Sequence, residues 1–376
     1  MKASIGPDSP DIERVVAMAR SYPGITTQLH RIQGATRSVT EVYLLGATGV
    51  VPSAPFEEFD SVEKVVRVTQ SFRAIGRHDG GLEAVGFEYN GVHLSQDTFH
   101  VFAGVCAVDE PENLEATFRA LQELGIVTTR AGAYKPRTSP YDFQGRGKAC
   151  LPWVFELAGR YGIRVVAMEV THESHVGEIL RALEASGHAT GVMLQIGTRN
   201  AQNFELLKAV GQQTELPVLF KRGMGITLEE SLNACEYVAS GGNRRIVFCL
   251  RGMKTHFGDP HRNMVDFGHV PVAKRLTRLP VGIDPSHSVG RRAVSPDGLM
   301  DIFHVAAQGV IAGANMVLVD VHPRPDAALC DGPQALLLDE LPAFVVDMEI
   351  VRRAYEERRR RAGERVPARS RPRPTS

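Results

Sequence analysis

The sequence predicts an α/β protein in which a (β/α)8 barrel over residues 99–350 follows a small α+β domain of ferredoxin-like order over residues 1–76. Two observations support this prediction. After residue 99, short apolar segments alternate with segments of helical periodicity, and eight such units follow one another. Eight parallel strands with crossover helices close into a barrel. A doubly wound sheet is the structural alternative, but it rarely contains eight regular units.

The N-terminal region has a different pattern, in the order strand, helix, strand, strand, helix, strand. Helices are predicted at residues 8–20 and 56–65, and strands at 25–32, 38–45 and 66–75. This is the order of the split βαβ motif. The region contains no cluster of titratable residues, which favours a binding or regulatory role over catalysis. Residues 77–98, which include Arg77-His78-Asp79-Gly80-Gly81, are predicted to be a linker and the lead-in to the barrel.

The barrel strands are predicted from apolar runs that end in polar residues. They lie at residues 100–108, 127–134, 163–170, 192–197, 217–223, 245–252, 280–287 and 316–323. Residues 351–376 differ from both domains, because they are rich in Arg and Pro and have no apolar periodicity. We expect them to form a basic, disordered and solvated tail.

Composition limits the class of partner. Lys and Arg number 43, as do Asp and Glu, so the formal net charge is zero and indicates neither a nucleic acid nor a membrane as partner. There is no apolar run of bilayer-spanning length, and the first residues lack the apolar core of a signal peptide. The five scattered cysteines favour a reducing cytoplasm over a disulfide framework.

Basic residues are concentrated where the predicted strands end, which is the end at which barrels of this type place their active sites. Cations that converge repel one another unless a polyanion lies among them, and Arg suits a bidentate grip on phosphate or carboxylate. They therefore predict a substrate with at least two anionic groups. Salt bridges to neighbouring carboxylates are the alternative, less favoured because few acids are expected there. The set is Arg130, Lys135, Arg137, Arg199, Lys221 and Arg251.

A second set at the same end is a candidate metal site, composed of Cys106, His287, Asp320 and Asp331. A thiolate, an imidazole and two carboxylates suit a divalent ion such as Mn²⁺, Fe²⁺, Co²⁺ or Zn²⁺. Taken singly, Cys106 would be a buried structural thiol and His287 a hydrogen-bonded strand-end histidine. The metal prediction therefore depends on the barrel that brings these residues together. His322, which follows Asp320 closely, adds no independent support.

At these motifs the chain resembles the class I, beta-type 3-deoxy-D-arabino-heptulosonate 7-phosphate (DAHP) synthases. That branch shares a superfamily with the 3-deoxy-octulosonate 8-phosphate synthases. The resemblance covers residues 1–345, and the N-terminal region is similar to the ferredoxin-like regulatory domain of some members. The motifs that show it are Lys135-Pro136-Arg137-Thr138-Ser139-Pro140-Tyr141, Gln195-Ile196-Gly197, Arg199-Asn200, Lys221-Arg222-Gly223-Met224, Asp284-Pro285-Ser286-His287 and Asp331-Gly332-Pro333-Gln334.

The resemblance implies a metal-dependent condensation of phosphoenolpyruvate with erythrose 4-phosphate, the first step of aromatic amino acid biosynthesis. Mn²⁺ would be the first choice of metal, held by the four residues above. The phosphate and carboxylate of phosphoenolpyruvate would be held by Arg130, Lys135, Arg199, Lys221 and Arg251. The resemblance further implies a cytoplasmic homotetramer or homodimer, inhibited by an aromatic amino acid through the N-terminal domain.

The aldehyde would occupy the other half of the site. Arg137 and Thr138 would meet its phosphate, Ser139 belongs to the same substrate-binding set, and Asp284 would place its hydroxyls. The octulosonate synthases have Ala-Asn-Arg-Ser where this chain has Pro136-Arg137-Thr138-Ser139, and this difference favours the four-carbon aldehyde. Lys135 would be the general acid toward the new hydroxyl, with a metal-bound water as competitor, and His287 would act as a metal ligand.

The chain departs from the family pattern at several positions, with Val105, Ala107, Asp109, Thr198 and Leu250 in place of Pro, Ser, Glu, Ala and Glu. Asp320 replaces a Glu ligand and is one methylene shorter. Because a metal–oxygen bond of about 2.0–2.2 Å allows little slack, either the backbone moves in or a water bridges the gap. These departures motivate one alternative, a specialised-metabolism paralogue that uses another sugar phosphate or aldehyde. A further alternative is a catalytically weak regulatory or scaffold subunit in which the small domain is the functional part. The retained cations and ligands disfavour the latter.

Overall fold

The computed structural model describes residues 1–2, 5, 9–33, 38–68, 71–78 and 86–365. The chain divides into two compact units. The first comprises Met1–Gln70 with His78–Leu82, and the second comprises Ser71–Arg77 with Glu83–Ser376. No helix in the described part of the chain is both long enough and apolar enough to cross a membrane.

The N-terminal unit packs one helix on an antiparallel pair of strands. Helix α1 (Pro10–Arg20) begins at Ser9, whose hydroxyl accepts a hydrogen bond from the backbone N–H of Asp11. Strands β1 (Ile25–Gln33) and β2 (Ser38–Gly46) pair from Ile25–Gly46 to Gln33–Ser38. A short α2 (Ala54–Glu57) follows. The core contains Ile12, Val15, Ala19, Ile25, Val51 and Phe56.

The ferredoxin-like prediction holds for α1, β1 and β2 and is wrong further along the chain. The helix expected at 56–65 is the single turn of α2. Residues 66–68 and 71–75, the described part of the expected closing strand, form no strand. The physical reason is that the carboxylate of Glu236 accepts the backbone N–H groups of Arg73, Ala74 and Ile75, which are therefore unavailable to a sheet. The predicted boundary at 76 accordingly falls near 70.

The second unit is a closed barrel of eight parallel strands, which confirms the predicted fold class. The ring closes where the last strand pairs with the first, from Met316–His100 to Asp320–Gly104. Each observed strand lies within its predicted segment except β8, which begins one residue earlier. The strands are β5 (His100–Val105), β6 (Thr128–Ala131), β7 (Val165–Val170), β8 (Gly191–Ile196), β9 (Val218–Lys221), β10 (Ile246–Leu250), β11 (Val281–Ile283) and β12 (Met316–Asp320).

Helices cover the outside of the ring, because each apolar helix face packs on the strands beneath it. Helix α7 begins with a capping box between Thr227 and Glu230. The helices are α3 (Pro111–Glu123), α4 (Leu151–Arg160), α5 (Ser174–Ser186), α6 (Phe204–Gln212), α7 (Leu228–Ser240), α8 (Val270–Leu276), the short α9 (Pro285–Val289), α10 (Asp301–Ile311) and α11 (Leu341–Arg365).

The prediction of a disordered tail from residue 351 is wrong over 351–365, which continue α11. Arginines that indicate disorder by composition here pair with glutamates one helical turn away, as in Arg352–Glu356 and Arg361–Glu357. Arg352 is also buried, and its guanidinium donates to the backbone carbonyls of Ala314 and Asp97. Residues 366–376 lie outside the described chain.

The lead-in segment closes the N-terminal end of the barrel. Strands β3 (Phe87–Tyr89) and β4 (Val92–Leu94) form a hairpin, and Phe87, Val92 and Leu94 pack against the side chains that fill the barrel interior. The amide of Asn90, in the turn, donates to the carbonyls of Arg164 and Ala189. The predicted linker at 79–85 lies outside the described residues.

Candidate active site

The C-terminal ends of the barrel strands surround a polar cavity of about 180 Å³. Seven of the side chains that line it are Lys or Arg, and three are Asp or Glu, so the cavity has an excess of positive charge that favours an anionic ligand. Of the residues predicted from the sequence, the cavity wall contains Arg130, Lys135, Arg137, Thr138, Arg199, Lys221, Arg251, His287 and Asp331.

Four predicted residues lie outside this wall. Cys106, Asp284 and Asp320 are buried, and their hydrogen bonds attach them to residues of the wall. Ser139 lies in the loop after β6, where its hydroxyl accepts a hydrogen bond from the N–H of Tyr141. The structure thus brings the predicted set together, apart from Ser139.

Three of the cations are paired with buried carboxylates, contrary to the expectation that few acids lie at these strand ends. Arg130 pairs with Asp320, and Lys221 pairs with Asp284. Lys135 Nζ lies 3.2 Å from Glu169 Oε2 and also donates to Cys106 Sγ at 3.3 Å. These pairs hold the cations in fixed positions, since a buried ion needs a partner to offset its lost hydration.

Electrostatics keep the paired cations protonated. Burial opposes the charged form of Lys135, but Cys106 and Glu169 raise its pKa above the ordinary value. Burial likewise opposes the charge of Arg130, and Asp320 and Cys106 raise its pKa. Asp284 stays ionised although it is fully buried, because His287 and Lys221 hold its pKa well below the usual range.

Arg251 differs from these residues because it is buried without an ionic partner among the described residues. Its Nε and one terminal nitrogen lack any hydrogen bond within the described chain. Burial lowers the pKa of Arg251, although Asp284 opposes this effect. Buried guanidinium donors without acceptors are costly, so Arg251 is prepared for an anionic ligand.

The thiol of Cys106 lies among the other predicted metal ligands. Its Sγ is 3.9 Å from His287 Nε2 and 3.0 Å from Asp331 Oδ2, and His287 Nε2 is 3.6 Å from the same oxygen. The other ring nitrogen of His287, Nδ1, lies 2.9 Å from Asp284 Oδ2. The ionised Asp284 can only accept a hydrogen bond from Nδ1–H, so Nε2 is left to face the thiol and Asp331.

These residues fit a divalent metal. Cys106, His287 and Asp320 offer ligand atoms within 4.8 Å of one another, and so do Cys106, Cys330 and Asp331. Burial opposes the imidazolium, but Asp284 and Asp320 raise the pKa of His287 to about 9. Burial also opposes the charge of Asp331, whose pKa is nevertheless held far below normal by His287 and Lys135. Because ionised carboxylates lie beside a protonated imidazole, a divalent metal can bind there with release of the imidazole proton.

Sequence reasoning missed Glu169, Cys330, Arg262 and Gln334. The signal for Glu169 was the alternation along β7, where Val165 and Ala167 face the barrel interior and Glu169 is the next residue on that face. Gly197 lacks a side chain where a Cβ would overlap Glu169 Oε1, so the glycine makes room for this carboxylate. No strand pattern indicates the other three, which lie in connections outside the barrel strands, although Gln334 belongs to a motif quoted for the family resemblance.

His322 takes no part in the ligand cluster. Its Nε2 lies 2.9 Å from Asp109 Oδ2, and both side chains are buried. Burial opposes ionisation of Asp109, but hydrogen bonds from His322 and Asn113 lower its pKa to about 2. The His322–Asp109 pair is therefore a structural contact near the loop that bears Cys106.

A (β/α)8 barrel with a cationic cavity and a candidate metal cluster at its C-terminal mouth is the architecture of an enzyme that acts on anionic substrates. The model of the DAHP synthetase I family matches residues 84–356. The chain therefore belongs to the DAHP synthetase I family, as its motifs predict.

Relatives and solved structures agree with this assignment. A phospho-2-dehydro-3-deoxyheptonate aldolase of Thermotoga maritima is 36% identical over 344 residues, which are 92% of this chain and 95% of the relative. A 2-dehydro-3-deoxyphosphooctonate aldolase of Desulfosudis oleivorans is 26% identical over 68% of this chain and 91% of its own. The crystal structure of the Thermotoga maritima DAHP synthase superposes with a TM-score of 0.67 at 36% identity, covering 93% of this chain and 96% of that one.

Proposed function

We propose that this chain condenses phosphoenolpyruvate with erythrose 4-phosphate to give DAHP and phosphate, and that it requires a divalent metal. The observation that supports this most directly is the excess of cations around a small cavity that borders a thiol, an imidazole and a carboxylate. Both substrates are anions, and their reaction needs a polarised aldehyde. The cations of the cavity would bind the anions, and a metal held beside the cavity would polarise the aldehyde.

The cations divide between the two substrates. Phosphoenolpyruvate has a phosphate and a carboxylate, and the groups that would hold them are Arg130, Lys135, Arg199, Lys221 and Arg251. Arg251 supports this role most clearly, because its free buried donors need an acceptor. Arg137 and Thr138, on the loop after β6, would meet the phosphate of the aldehyde, with Arg199 donating to Thr138 Oγ1 at 3.3 Å. Binding both anions in fixed positions makes the encounter effectively intramolecular.

Asp284 offers a role besides the predicted placing of the aldehyde hydroxyls, which stays a prediction. It is fully buried and bonded to Lys221 and His287, so we assign it a positioning role for both. Ser139 does not itself line the cavity, and the hydrogen bonds that it accepts from the N–H groups of Tyr141 and Asp142 shape the loop that bears Arg137 and Thr138.

A bound divalent metal would supply Lewis-acid polarisation of the aldehyde carbonyl. Cys106, His287 and Asp331 would hold it, and Asp320 is the fourth ligand that the family resemblance implies. Mn²⁺ is the first choice on that resemblance, with Fe²⁺, Co²⁺ and Zn²⁺ as alternatives. His287 Nε2 is free for this role because Nδ1 donates to Asp284.

Lys135 is the proposed general acid toward the new hydroxyl. Its raised pKa, due to Cys106 and Glu169 in opposition to burial, keeps the ammonium protonated at neutral pH. It would therefore give up a proton only to a strongly basic oxygen such as the alkoxide that forms when the carbon–carbon bond closes. Glu169, 3.2 Å from Nζ, holds the ammonium in place.

Turnover assays on the purified full-length chain test the proposal. We expect phosphate release from phosphoenolpyruvate plus erythrose 4-phosphate, loss of activity with a chelator, and recovery with added Mn²⁺, Co²⁺ or Zn²⁺. No release with that aldehyde would contradict the proposal. Release with another aldehyde phosphate would establish the specialised paralogue, which the departures from the family pattern, such as Ala107 and Leu250, motivate. No release with any aldehyde would indicate a regulatory subunit.

The N-terminal unit and the assembly complete the proposal. A small helix-on-hairpin unit without a candidate metal cluster among its described residues suits a regulatory role, and an aromatic amino acid is the effector implied by the resemblance. The same resemblance implies a homotetramer or homodimer. The free thiols of all five cysteines are compatible with a reducing, cytoplasmic location.

A further inference from the structure

The thiol of Cys330 lies beside the other metal-ligand candidates and has no role in the function proposed so far. Its Sγ is 4.0 Å from Cys106 Sγ and 3.3 Å from Asp331 Oδ2. Five separations among its Sγ and the ligand atoms of Cys106, His287 and Asp331 fall between 3.0 and 4.0 Å. Cys330 belongs to one group of ligand atoms within 4.8 Å with Cys106 and Asp331, and His287 belongs to a neighbouring group with Cys106 and Asp320. Tetrahedral zinc with bonds of about 2.0–2.3 Å requires ligand separations of roughly 3.3–3.8 Å.

Asp320, by contrast, has both carboxylate oxygens engaged elsewhere. One accepts from the guanidinium of Arg130, and the other accepts from the amide of Gln334 at 2.6 Å. The second oxygen lies 3.7 Å from His287 Nδ1, the ring nitrogen that already donates to Asp284, rather than beside Nε2. Asp320, one methylene shorter than the Glu of the family, thus forms an ion pair with Arg130. Its ligand atom still lies within 4.8 Å of those of Cys106 and His287.

The surroundings of Cys330 favour its thiolate. One terminal nitrogen of Arg137 donates to Cys330 Sγ at 2.7 Å. Asp331 has a left-handed backbone with φ of 55°. This tight turn brings the consecutive side chains of Cys330 and Asp331 together.

We propose that Cys330 is the fourth metal ligand of this chain in place of Asp320, so that the ion is held by two thiolates, one imidazole and one carboxylate. This inference rests on the metal-dependent function proposed above. Two thiolates make the site softer and suit tetrahedral coordination, which favours Zn²⁺ or Co²⁺ over Mn²⁺. The chain would then differ in metal preference from relatives that supply a single thiol.

Co²⁺ titration of the metal-free, full-length protein tests the inference without reference to activity. Thiolate-to-cobalt charge transfer gives a near-ultraviolet band whose intensity follows the number of bound thiolates. We expect Cys330→Ala to lose about half of this band, and the Asp320→Asn protein to keep it. Cys235→Ala, which removes a buried thiol on α7, is the matched control and should leave the spectrum unchanged.

Metal competition gives a second readout. Replacing a residue that merely orients a ligand costs about 10- to 100-fold in metal affinity, so loss of a direct ligand should lower Zn²⁺ affinity at least that far. We expect Cys330→Ala to lower the affinity for Zn²⁺ much more than that for Mn²⁺. If the alanine variant does not fold, the nearly isosteric Cys330→Ser serves instead, with thermal melting as the folding check.

The outcomes separate this inference from the proposed function. A cobalt band unchanged in Cys330→Ala but altered in Asp320→Asn would overturn the inference and restore Asp320 as ligand, while leaving metal-dependent condensation intact. No band in the unaltered protein would overturn the inference together with the metal site. Turnover of phosphoenolpyruvate in the separate assay then decides the proposed function by itself.

Discussion

The two ends of the barrel are formed by the same eight strands and hold opposite kinds of side chain. At the C-terminal mouth, buried Arg130, Lys135 and Lys221 are each paired with a carboxylate, and Arg251 has none within the part of the chain that the structure describes. At the N-terminal end, Phe87 and Leu94 of the hairpin pack on apolar side chains inside the ring. The mouth is therefore specialised for binding charge, and the closed end for excluding water.

This difference shows how the fold separates stability from function. Apolar burial at the closed end stabilises by about 25 cal/mol per Å² and needs no partner of particular geometry. Buried ion pairs at the mouth contribute little net stability, because lost hydration offsets their attraction. Residues at the mouth can therefore be arranged for a substrate, while the other end maintains the fold. Four predictions test this division.

The largest expected effect follows from removing a ligand at the mouth. Cys106→Ser and His287→Ala should each abolish metal-dependent turnover, because each removes a donor that the proposed metal site needs. Steady-state phosphate release with added metal is the measurement, and Cys235→Ala is the matched control. Full activity in either variant would refute the ligand assignment. The melting temperature of the metal-free Cys106→Ser protein should change little, whereas His287→Ala, which leaves the buried Asp284 with one partner fewer, should melt at a lower temperature.

The closed end should show the reverse behaviour. Leu94→Ala leaves a cavity at a side chain that is only 2% exposed, and we expect the free energy of unfolding to fall by about 2–5 kcal/mol. Urea denaturation measures this change, with Leu299→Ala, at a leucine 40% exposed, as the control. The KM for phosphoenolpyruvate should stay the same at temperatures where the variant is folded. A raised KM with unchanged stability would contradict the division between the two ends.

Arg251→Met should weaken binding without weakening the fold. Hydrogen bonds to charged groups contribute about 1.5–3 kcal/mol, so the KM for phosphoenolpyruvate should rise about ten- to a hundredfold. The melting temperature of the ligand-free protein should stay the same or rise, because the variant no longer buries a charge without an acceptor. Arg119→Met, on the exposed face of α3, is the control. A marked loss of stability would show that Arg251 supports the fold.

The smallest effect concerns Lys274, a partly buried cation near the closed end whose Nζ donates to the carbonyls of Gln96 and Gly313. Burial, with help from Arg352, lowers its pKa to about 8, in contrast to the raised pKa of Lys135 at the mouth. Between pH 8 and the ordinary lysine value the unfolded chain binds the extra proton, so stability should rise with pH.

The measurement is the melting temperature of the unaltered protein and of Lys274→Met over pH 7.5–10.5. The melting temperature of the variant should rise less with pH, because the contribution of Lys274 is missing. The difference between the two curves therefore gives the contribution of Lys274 apart from that of other titrating groups. Parallel curves would show that Lys274 does not titrate in this range, as is expected of Lys135 at the mouth.

Much of the barrel could be predicted from the sequence, because apolar runs and strand alternation are local signals. The same regularity is enough to place Arg130, Lys221 and Arg251 at strand ends. The predictions that were wrong involve contacts distant in sequence. Residues 71–75 looked like a strand, but Glu236 on α7 takes their N–H groups. The Arg-rich segment after 351 looked disordered, but pairing with glutamates and burial of Arg352 keep it helical.

The sequence by itself determined the eight strand–helix units, the residue types at the mouth and the family, because these depend on periodicity and on short motifs. The tertiary structure decided which of those residues face one another. Only closure of the ring beside β12 pairs Asp320 with Arg130 and leaves Cys330, more than 200 positions from Cys106, within 4.0 Å of it. The physical reason is that hydrogen bonds and metal ligation depend on distances of a few tenths of an ångström. No local pattern fixes distances of that kind between separate strands.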